Sequence, residues 1–219
     1  RDRLCGDPPA SMIGIFGGTF DPVHHGHLRI ALDALEFLGL EKVHLVPLAQ
    51  AVHREQPHAN AEQRLAMLQL AVAGQPALVA DDREIRRGGD SFMVDTLQSL
   101  HNELPGRALC LLLGSDAFNG FMHWRSPQRI LDLANILVMQ RPGYTLPDDP
   151  RLDSLVDTHR QDDPQLFRDS ASGGIHFHDV TQLDISSSDI RRRVANGRNP
   201  AYLLPRAVIA HIEEQRLYL

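Results

Sequence analysis

The sequence has few of the residues that build disulfide-bonded, metal-cluster or membrane proteins. It contains two cysteines, Cys5 in a polar, proline-rich stretch and Cys110 in an apolar run, so neither suggests a disulfide framework or a metal cluster. No apolar run reaches the roughly 18 to 20 residues of a membrane span. We therefore expect a protein of a reducing cytoplasm that does not act at a membrane.

Positive charge is also scarce, because 22 Lys and Arg residues stand against 28 Asp and Glu residues, for a formal net charge of −6. This balance argues against a nonspecific nucleic-acid binder, which needs a basic face. The length of 219 residues and a hydrophobic share of 42% predict a single compact domain over residues 12–219. We expect the polar, proline-rich residues 1–11 to form an extension outside the fold. The oligomeric state stays open, and a homo-oligomer is compatible with the sequence.

The most informative stretch runs from Gly14 to Ile30 and reads Gly-Ile-Phe-Gly-Gly-Thr-Phe-Asp-Pro-Val-His-His-Gly-His-Leu-Arg-Ile. It begins as an apolar strand, turns at Gly17-Gly18, and continues near Gly26 as a helix whose apolar positions lie three and four residues apart. Glycines let a backbone approach a ligand closely, and the free N–H groups of a helix start attract anions. His24 and His27 would project from neighbouring positions of the first helical turn. The stretch therefore predicts a phosphate-binding site.

Two well-known phosphate-binding patterns do not fit this stretch. A P-loop needs a lysine after its last glycine, and Lys42 is the chain's single lysine. The spacing of Gly14, Gly17 and Gly18 also differs from the dinucleotide-binding pattern Gly-x-Gly-x-x-Gly. A histidine-rich surface turn and a metal site are the alternatives, although no nearby cysteine or carboxylate pair has ligand spacing.

The remaining sequence alternates between predicted strands and helices, which indicates right-handed crossovers and a doubly wound α/β sheet. A last helix closes the chain and forms a small C-terminal helical part. Residues 144–174 are rich in Pro, Asp, Ser and Gln and predict a mobile excursion with a short helix around 152–156. The segments that predict strands after the first one are 42–48, 77–80, 108–113, 136–140 and 175–180.

Two segments between these strands carry their own expectations. Asn60 and Gln63 have the spacing of a capping pair, so they predict a helix start. The charged residues 81–90 predict a loop. The helix after Asn60 should bury one apolar face, formed by Ala61, Leu65, Leu68 and Val72.

A polar cluster follows each of five predicted strands. These clusters are Gly17–His27 after the first strand, His53-Arg54 after the second, Gly114–Asp116 after the fourth, Arg141 after the fifth and residues 186–191 after the last. In an open α/β sheet, ligands bind outside the carboxyl ends of the strands. Taken singly, each cluster has an ordinary explanation as a helix cap, a solvated charge or core filling. Their common position predicts one shared site.

The first motif resembles the signature of the nucleotidyltransferases that carry His-x-Gly-His after their first strand, here His24 to His27. The longer string Gly-Gly-Thr-Phe-Asp-Pro-x-His-x-Gly-His is similar to that of the nicotinate mononucleotide adenylyltransferases. A second signature of the superfamily, Ile-Ser-Ser-Thr-x-Ile-Arg, is matched by Ile185 to Arg191, with Ser188 in the threonine position. The resemblance extends from Met12 to the C-terminus and implies a Rossmann-like nucleotidyltransferase fold.

This resemblance implies transfer of the adenylyl group of ATP to nicotinate mononucleotide, giving nicotinate adenine dinucleotide and pyrophosphate in NAD biosynthesis. It implies a catalytic role for His24, His27 and Arg191, which would neutralise charge on the phosphates. The implied ATP-binding residues are Gly17, Gly18, Thr19, Phe20, His24, His27, Ser187, Ser188 and Arg191.

The resemblance also implies contacts to the acceptor. The family's Pro-Pro-His-Lys string is matched by residues 51–54, which lack both prolines but keep the charge. Its Ser-Tyr-Thr-x-x-Thr string is matched by residues 91–96, where Met93 replaces the first threonine. A ribose-binding Gly-x-Asp is matched by residues 114–116, and Trp124 falls where the family stacks the pyridine ring. The implied acceptor-binding residues are His53, Arg54, Thr96, Gly114, Asp116, Trp124 and Arg141.

The implied nucleophile is a phosphate monoester, which is already largely ionised at neutral pH, so the reaction needs alignment and charge neutralisation rather than a base. We expect Mg²⁺ to arrive with ATP, and no metal cage built from protein side chains alone. The alternatives are an adenylyltransferase for nicotinamide mononucleotide or phosphopantetheine, and a non-catalytic nucleotide-binding regulator.

Overall fold

The computed structural model describes residues 11–50, 56–140, 143–181 and 183–219, which are organised around one six-stranded parallel sheet. The strand order is β3-β2-β1-β4-β5-β6, and it reverses between β1 and β4. This is a doubly wound order, so the predicted fold class is confirmed. The strands are β1 (Met12–Gly18), β2 (Lys42–Pro47), β3 (Leu78–Ala80), β4 (Ala108–Gly114), β5 (Asn135–Gln140) and β6 (Ile175–Asp179).

Helices cover both faces of this sheet, and the predicted C-terminal helical part is present. A 3₁₀ turn over Phe121–His123 joins the fifth helix to the sixth. The helices are α1 (His25–Leu38), α2 (Ala61–Val72), α3 (Arg83–Arg87), α4 (Met93–Glu103), α5 (Ser115–Asn119), α6 (Pro127–Leu133), α7 (Pro150–His159), α8 (Pro164–Asp169), α9 (Ser187–Ala195) and α10 (Arg206–Glu214).

The sheet carries one hydrophobic core on each face, because successive side chains of a strand point to opposite sides. On β1, Met12 belongs to the core that includes α1, α2 and α10, whereas Ile13 and Ile15 belong to the core that includes α4, α6 and α7. Six of the seven residues of β4 are buried, as the continuous apolar run predicts. None of the helices in the described ranges is long and apolar enough to cross a membrane.

Residues 144–174 differ from the expected excursion, because they contain α7 and α8. Leu152 and Val156 of α7 and Phe167 of α8 are buried in the two cores. Each helix begins with an aspartate N-cap followed by a proline, and each aspartate accepts a hydrogen bond from a backbone N–H of the first turn. These Asp-Pro pairs are helix-start signals that the polar composition concealed.

Two further expectations need correction. The buried face of α2 consists of Arg64, Met67, Leu68 and Val72, so the predicted positions Ala61 and Leu65 are only half-buried. The charged stretch 81–90 contains the short helix α3 rather than only a loop. Arg64 can face inward because its guanidinium finds hydrogen-bond acceptors there.

The predicted extension, residues 1–11, lies outside the described residues except for Ser11. The Ser11 carbonyl accepts a hydrogen bond from the Ala108 N–H at the start of β4. The boundary at residue 11 therefore stays a prediction.

Candidate active site

The segment between β1 and α1, residues 19–24, is called the motif loop here. Its first carbonyl, that of Thr19, accepts a hydrogen bond of 2.9 Å from the guanidinium of Arg64. At its other end, the N–H of His25 donates to the carbonyl of Leu203 at 3.0 Å. Phe20 is buried with a φ of 50°, a left-handed conformation that few side chains adopt. The loop is therefore fixed from both ends and anchored in the core.

The two glycines at the end of β1 allow close packing. A Cβ on Gly17 would lie 2.5 Å from Cε of Met93, and a Cβ on Gly18 would lie 2.9 Å from Cζ of Phe20. The predicted reason for these glycines was close approach of a ligand. The structure adds a second reason for glycine at these positions, because the side chains of Met93 and Phe20 occupy the space that a Cβ would need.

The two signature histidines form a stacked pair at the start of α1. The ring centroids of His24 and His27 lie 3.7 Å apart, and the Phe20 ring packs edge-on at 5.1 Å from the His27 ring. The backbone N–H of His24 donates to Nδ1 of His27 at 3.3 Å. The neutral His27 ring must therefore carry its proton on Nε2, where it can be donated.

Both histidines are held in the neutral form. Burial, with a smaller effect of the neighbouring His25, lowers the pKa of His24 from 6.5 to about 4. Burial, with a smaller effect of His24, also lowers the pKa of His27 well below 6.5. The Nδ1 atom of His24 is buried and has no hydrogen-bond partner among the described residues. A buried polar atom without a partner suggests a site that a ligand completes.

The second signature docks directly on the motif loop. Ser186 is the N-cap of α9, and its hydroxyl accepts a hydrogen bond from the N–H of Asp189. The hydroxyl of Ser187 donates to the carbonyl of Pro22 at 2.9 Å. Arg191 donates to the carbonyl of Asp21 at 2.7 Å and to Oγ of Ser188 at 3.3 Å. The structure therefore brings together the two motifs, whose residues Pro22 and Ser187 lie 165 residues apart in sequence.

Asp21 connects these parts, although no role for it follows from the sequence alone. Its carboxylate is 2% exposed and accepts hydrogen bonds from the N–H of His58 at 2.8 Å, the N–H of Ala59 at 3.1 Å and the hydroxyl of Tyr218 at 2.7 Å. The guanidinium of Arg191 lies 3.6 Å away. The only available sequence signal was the position of Asp21 inside the first motif.

Arg64 was also missed, because the predicted apolar face of α2 did not include it, whereas the structure buries it in that face. Arg64 is 1% exposed, and its guanidinium donates to the carbonyls of Thr19, Leu48 and Ala59. Burial lowers the pKa of Arg64, and the nearby Asp21 opposes that shift. Arg64 therefore ties the motif loop to the segments that follow β2 and precede α2.

The acceptor-binding residues that the resemblance implies lie in different environments. Thr96 is fully buried, and its hydroxyl donates to the carboxylate of Glu84 at 2.6 Å, so a contact with substrate stays a prediction. Gly114 ends β4, next to β1 in the sheet, and Asp116 is exposed in the first turn of α5. Trp124 is half-buried against Phe121. His53, Arg54 and Arg141 lie outside the described residues.

The segment around Trp124 contacts the start of α4. The guanidinium of Arg125 lies 4.6 Å from the centroid of the Phe92 ring, and Met93, the next residue, packs against Gly17. This chain of contacts connects Trp124 to the end of β1, from which the motif loop begins. Within the described part of the chain, no group of three or more His, Cys, Asp and Glu side chains could hold a metal ion.

The fold and the docked motifs define a nucleotidyltransferase, and a cytidylyltransferase-like family model matches residues 15–193. A Methylococcus capsulatus protein named "Probable nicotinate-nucleotide adenylyltransferase" is 44% identical over 208 residues, which cover 94% of this chain and 99% of the relative. A Yersinia enterocolitica protein of the same name is 44% identical over 214 residues, 96% of this chain and 97% of the relative. The chain belongs to the nicotinate-nucleotide adenylyltransferase family.

A solved structure agrees with this fold. The Plasmodium falciparum nicotinic acid mononucleotide adenylyltransferase complexed with NaAD superimposes with a TM-score of 0.71 at 15% sequence identity, covering 95% of this chain and 97% of the other. At that identity the likeness concerns the fold alone.

Proposed function

We propose that this chain transfers the adenylyl group of ATP to nicotinate mononucleotide, a step of NAD biosynthesis that releases pyrophosphate. The observation that carries the proposal is the docking of α9 on the motif loop, which joins Arg191 to the segment that bears His24 and His27. Family membership and the names of the curated relatives support the identity of the acceptor.

In this reaction an oxygen of the acceptor's 5′-phosphate forms a bond to the α-phosphorus of ATP. The bond from that phosphorus to the oxygen bridging the α- and β-phosphates breaks, and pyrophosphate leaves with the electron pair. Because a phosphate monoester has a second pKa of about 6, the nucleophile needs no catalytic base. The residues of the site have to align the two phosphates and offset their charge. Mg²⁺ is part of the substrate MgATP.

The phosphate groups would meet donors from both motifs. The Nε2–H of His27 and a ring nitrogen of His24 would bind the phosphates on either side of the reacting bond. The backbone of residues 17–20 would surround the same phosphates. The negative charge of bound phosphate would raise the pKa of both histidines, and this would favour their protonated form. Arg191, with Ser187 and Ser188, would hold the β- and γ-phosphates.

The acceptor would lie beside the motif loop, toward the start of α4 and the end of β4, which neighbour β1. Trp124 would stack on the pyridine ring, and Gly114 with Asp116 would bind the ribose. Thr96 would contribute a hydroxyl only if it turns from Glu84. The resemblance adds His53, Arg54 and Arg141 to this half of the site.

The test is pyrophosphate release from MgATP with nicotinate mononucleotide, nicotinamide mononucleotide or phosphopantetheine as acceptor. A strong preference for the acid form of the mononucleotide is expected. Preference for another acceptor would keep the ATP half of the site and refute the acceptor. No release with any of the three would favour a nucleotide-binding regulator.

The proposed mechanism has its own test in His24→Ala, with His25→Ala as the matched control. Loss of one charge-stabilising donor commonly lowers kcat by about 10²- to 10³-fold. The variant at His25 should keep most of the activity, because that side chain is not part of the stacked pair. If His24→Ala kept more than about half of the wild-type kcat, the mechanism would be wrong.

A further inference from the structure

Tyr218 joins a distant part of the chain to the motif loop. Its hydroxyl donates to Oδ1 of Asp21 at 2.7 Å across 197 residues of sequence. The adjacent Leu217 is 8% exposed and belongs to the core on the α1 side of the sheet, so the chain is anchored at this point. Burial and the negative charge of Asp21 raise the pKa of Tyr218, so its hydroxyl keeps the proton that it donates.

The hydroxyl completes the hydrogen bonding of a buried anion. Oδ1 of Asp21 accepts from Tyr218 and from the N–H of Ala59, while Oδ2 accepts from the N–H of His58. The guanidinium of Arg191 stands 3.6 Å from Oδ2 without a direct hydrogen bond to the carboxylate. A buried carboxylate that loses a donor attracts the nearest cation more strongly.

We propose that Tyr218 is a positioning residue for Arg191. By satisfying Oδ1 of Asp21, the hydroxyl keeps the carboxylate from drawing the guanidinium away from the phosphates of ATP. Arg191 then stays hydrogen-bonded to the Asp21 carbonyl and to Oγ of Ser188, and its remaining N–H groups can bind the phosphates. This inference rests on the proposed role of Arg191 in binding ATP.

The test is titration calorimetry of MgATP, without acceptor, into the wild type and Tyr218→Phe. The substitution removes one hydroxyl and keeps the ring, and we expect the Kd for MgATP to rise about fivefold to tenfold. In turnover assays the KM for ATP should rise while kcat at saturating ATP changes less than twofold. Val156→Ala is the control, since it weakens the core on the other face of the sheet, so it should lower the Tm without changing this Kd.

A double-mutant cycle with Asp21→Asn tests the route of the effect. If Tyr218 acts through Asp21, adding Tyr218→Phe to Asp21→Asn should weaken MgATP binding by less than twofold further. Fully additive effects would overturn the inference, as would a Tyr218→Phe protein that binds MgATP like the wild type. A wild type that binds no MgATP would overturn the proposed function itself, which distinguishes the two failures.

Discussion

Acidification should destabilise the protein through the stacked histidine pair, and His24→Gln should remove part of this effect. The pKa of His24 is about 4 in the folded protein and 6.5 in its ordinary environment. Between these values the unfolded chain binds the extra proton and the folded chain does not. The stabilisation is therefore fully present above about pH 6.5 and is lost as the pH falls toward about 4.

The size of the effect follows from the two pKa values of His24. Full loss over this interval corresponds to about 3 kcal/mol, and about 2 kcal/mol of it should be gone at pH 5. His27 shifts in the same direction because it is also buried, so it should remain as a source of acid sensitivity in the His24 variant. The lowered pKa of His178 has the same effect on both proteins, so it cancels when their changes in unfolding free energy are compared.

The assay is urea unfolding of the wild type and His24→Gln at about pH 7.5 and about pH 5. The drop in unfolding free energy between the two values should be smaller in the variant by about 2 kcal/mol. Equal drops in the two proteins would refute the view that burial keeps His24 neutral. Saturating MgATP should reduce the wild-type drop, because bound phosphate favours the protonated imidazole.

Three other changes have defined outcomes. Arg64→Met should lower the unfolding free energy in urea by at least about 3 kcal/mol, because one buried and two partly buried carbonyls lose their donor; an unchanged curve would contradict the role of Arg64. Gly18→Ala should lower kcat/KM at least about tenfold by pushing on the Phe20 ring, whereas Gly74→Ala, with open space around its Cβ, should not; equal activities would count against the packing argument. A chelator should abolish pyrophosphate release and excess Mg²⁺ should restore it; activity that survives chelation would show that MgATP is not the substrate.

The sheet and the meeting of the two motifs were predictable because they follow from local patterns. The glycine turn, the apolar run of β4 and the alternation of strands and helices each act over a few residues. Parallel connections then leave little freedom in where the strand ends lie. Ser187 and Arg191 reach the motif loop for that reason, since both they and His24 follow strand ends of the same sheet.

Contacts between distant residues were not predictable in the same way. No role for Arg64 follows from the pattern of α2, and only the folded chain supplies the three carbonyls that make its burial favourable. Thr96 matched a ligand-binding threonine, yet its hydroxyl finds Glu84, twelve residues away. A hydroxyl in a motif is compatible with either partner, so the pattern cannot choose between them.

The neutral state of the histidines shows why the site depends on more than its motif residues. His24 is the N-cap of α1 and His27 lies in its first turn, where exposed imidazoles would titrate near 6.5. They are neutral because Phe20 and the loop around them exclude water, and that loop is held by Arg64 at one end and, through Asp21, by Arg191 and Tyr218 in the middle. The chemistry of the motif histidines is therefore set in part by residues of other segments. Substitutions at Arg64 and Tyr218 should change nucleotide binding although neither residue belongs to a signature.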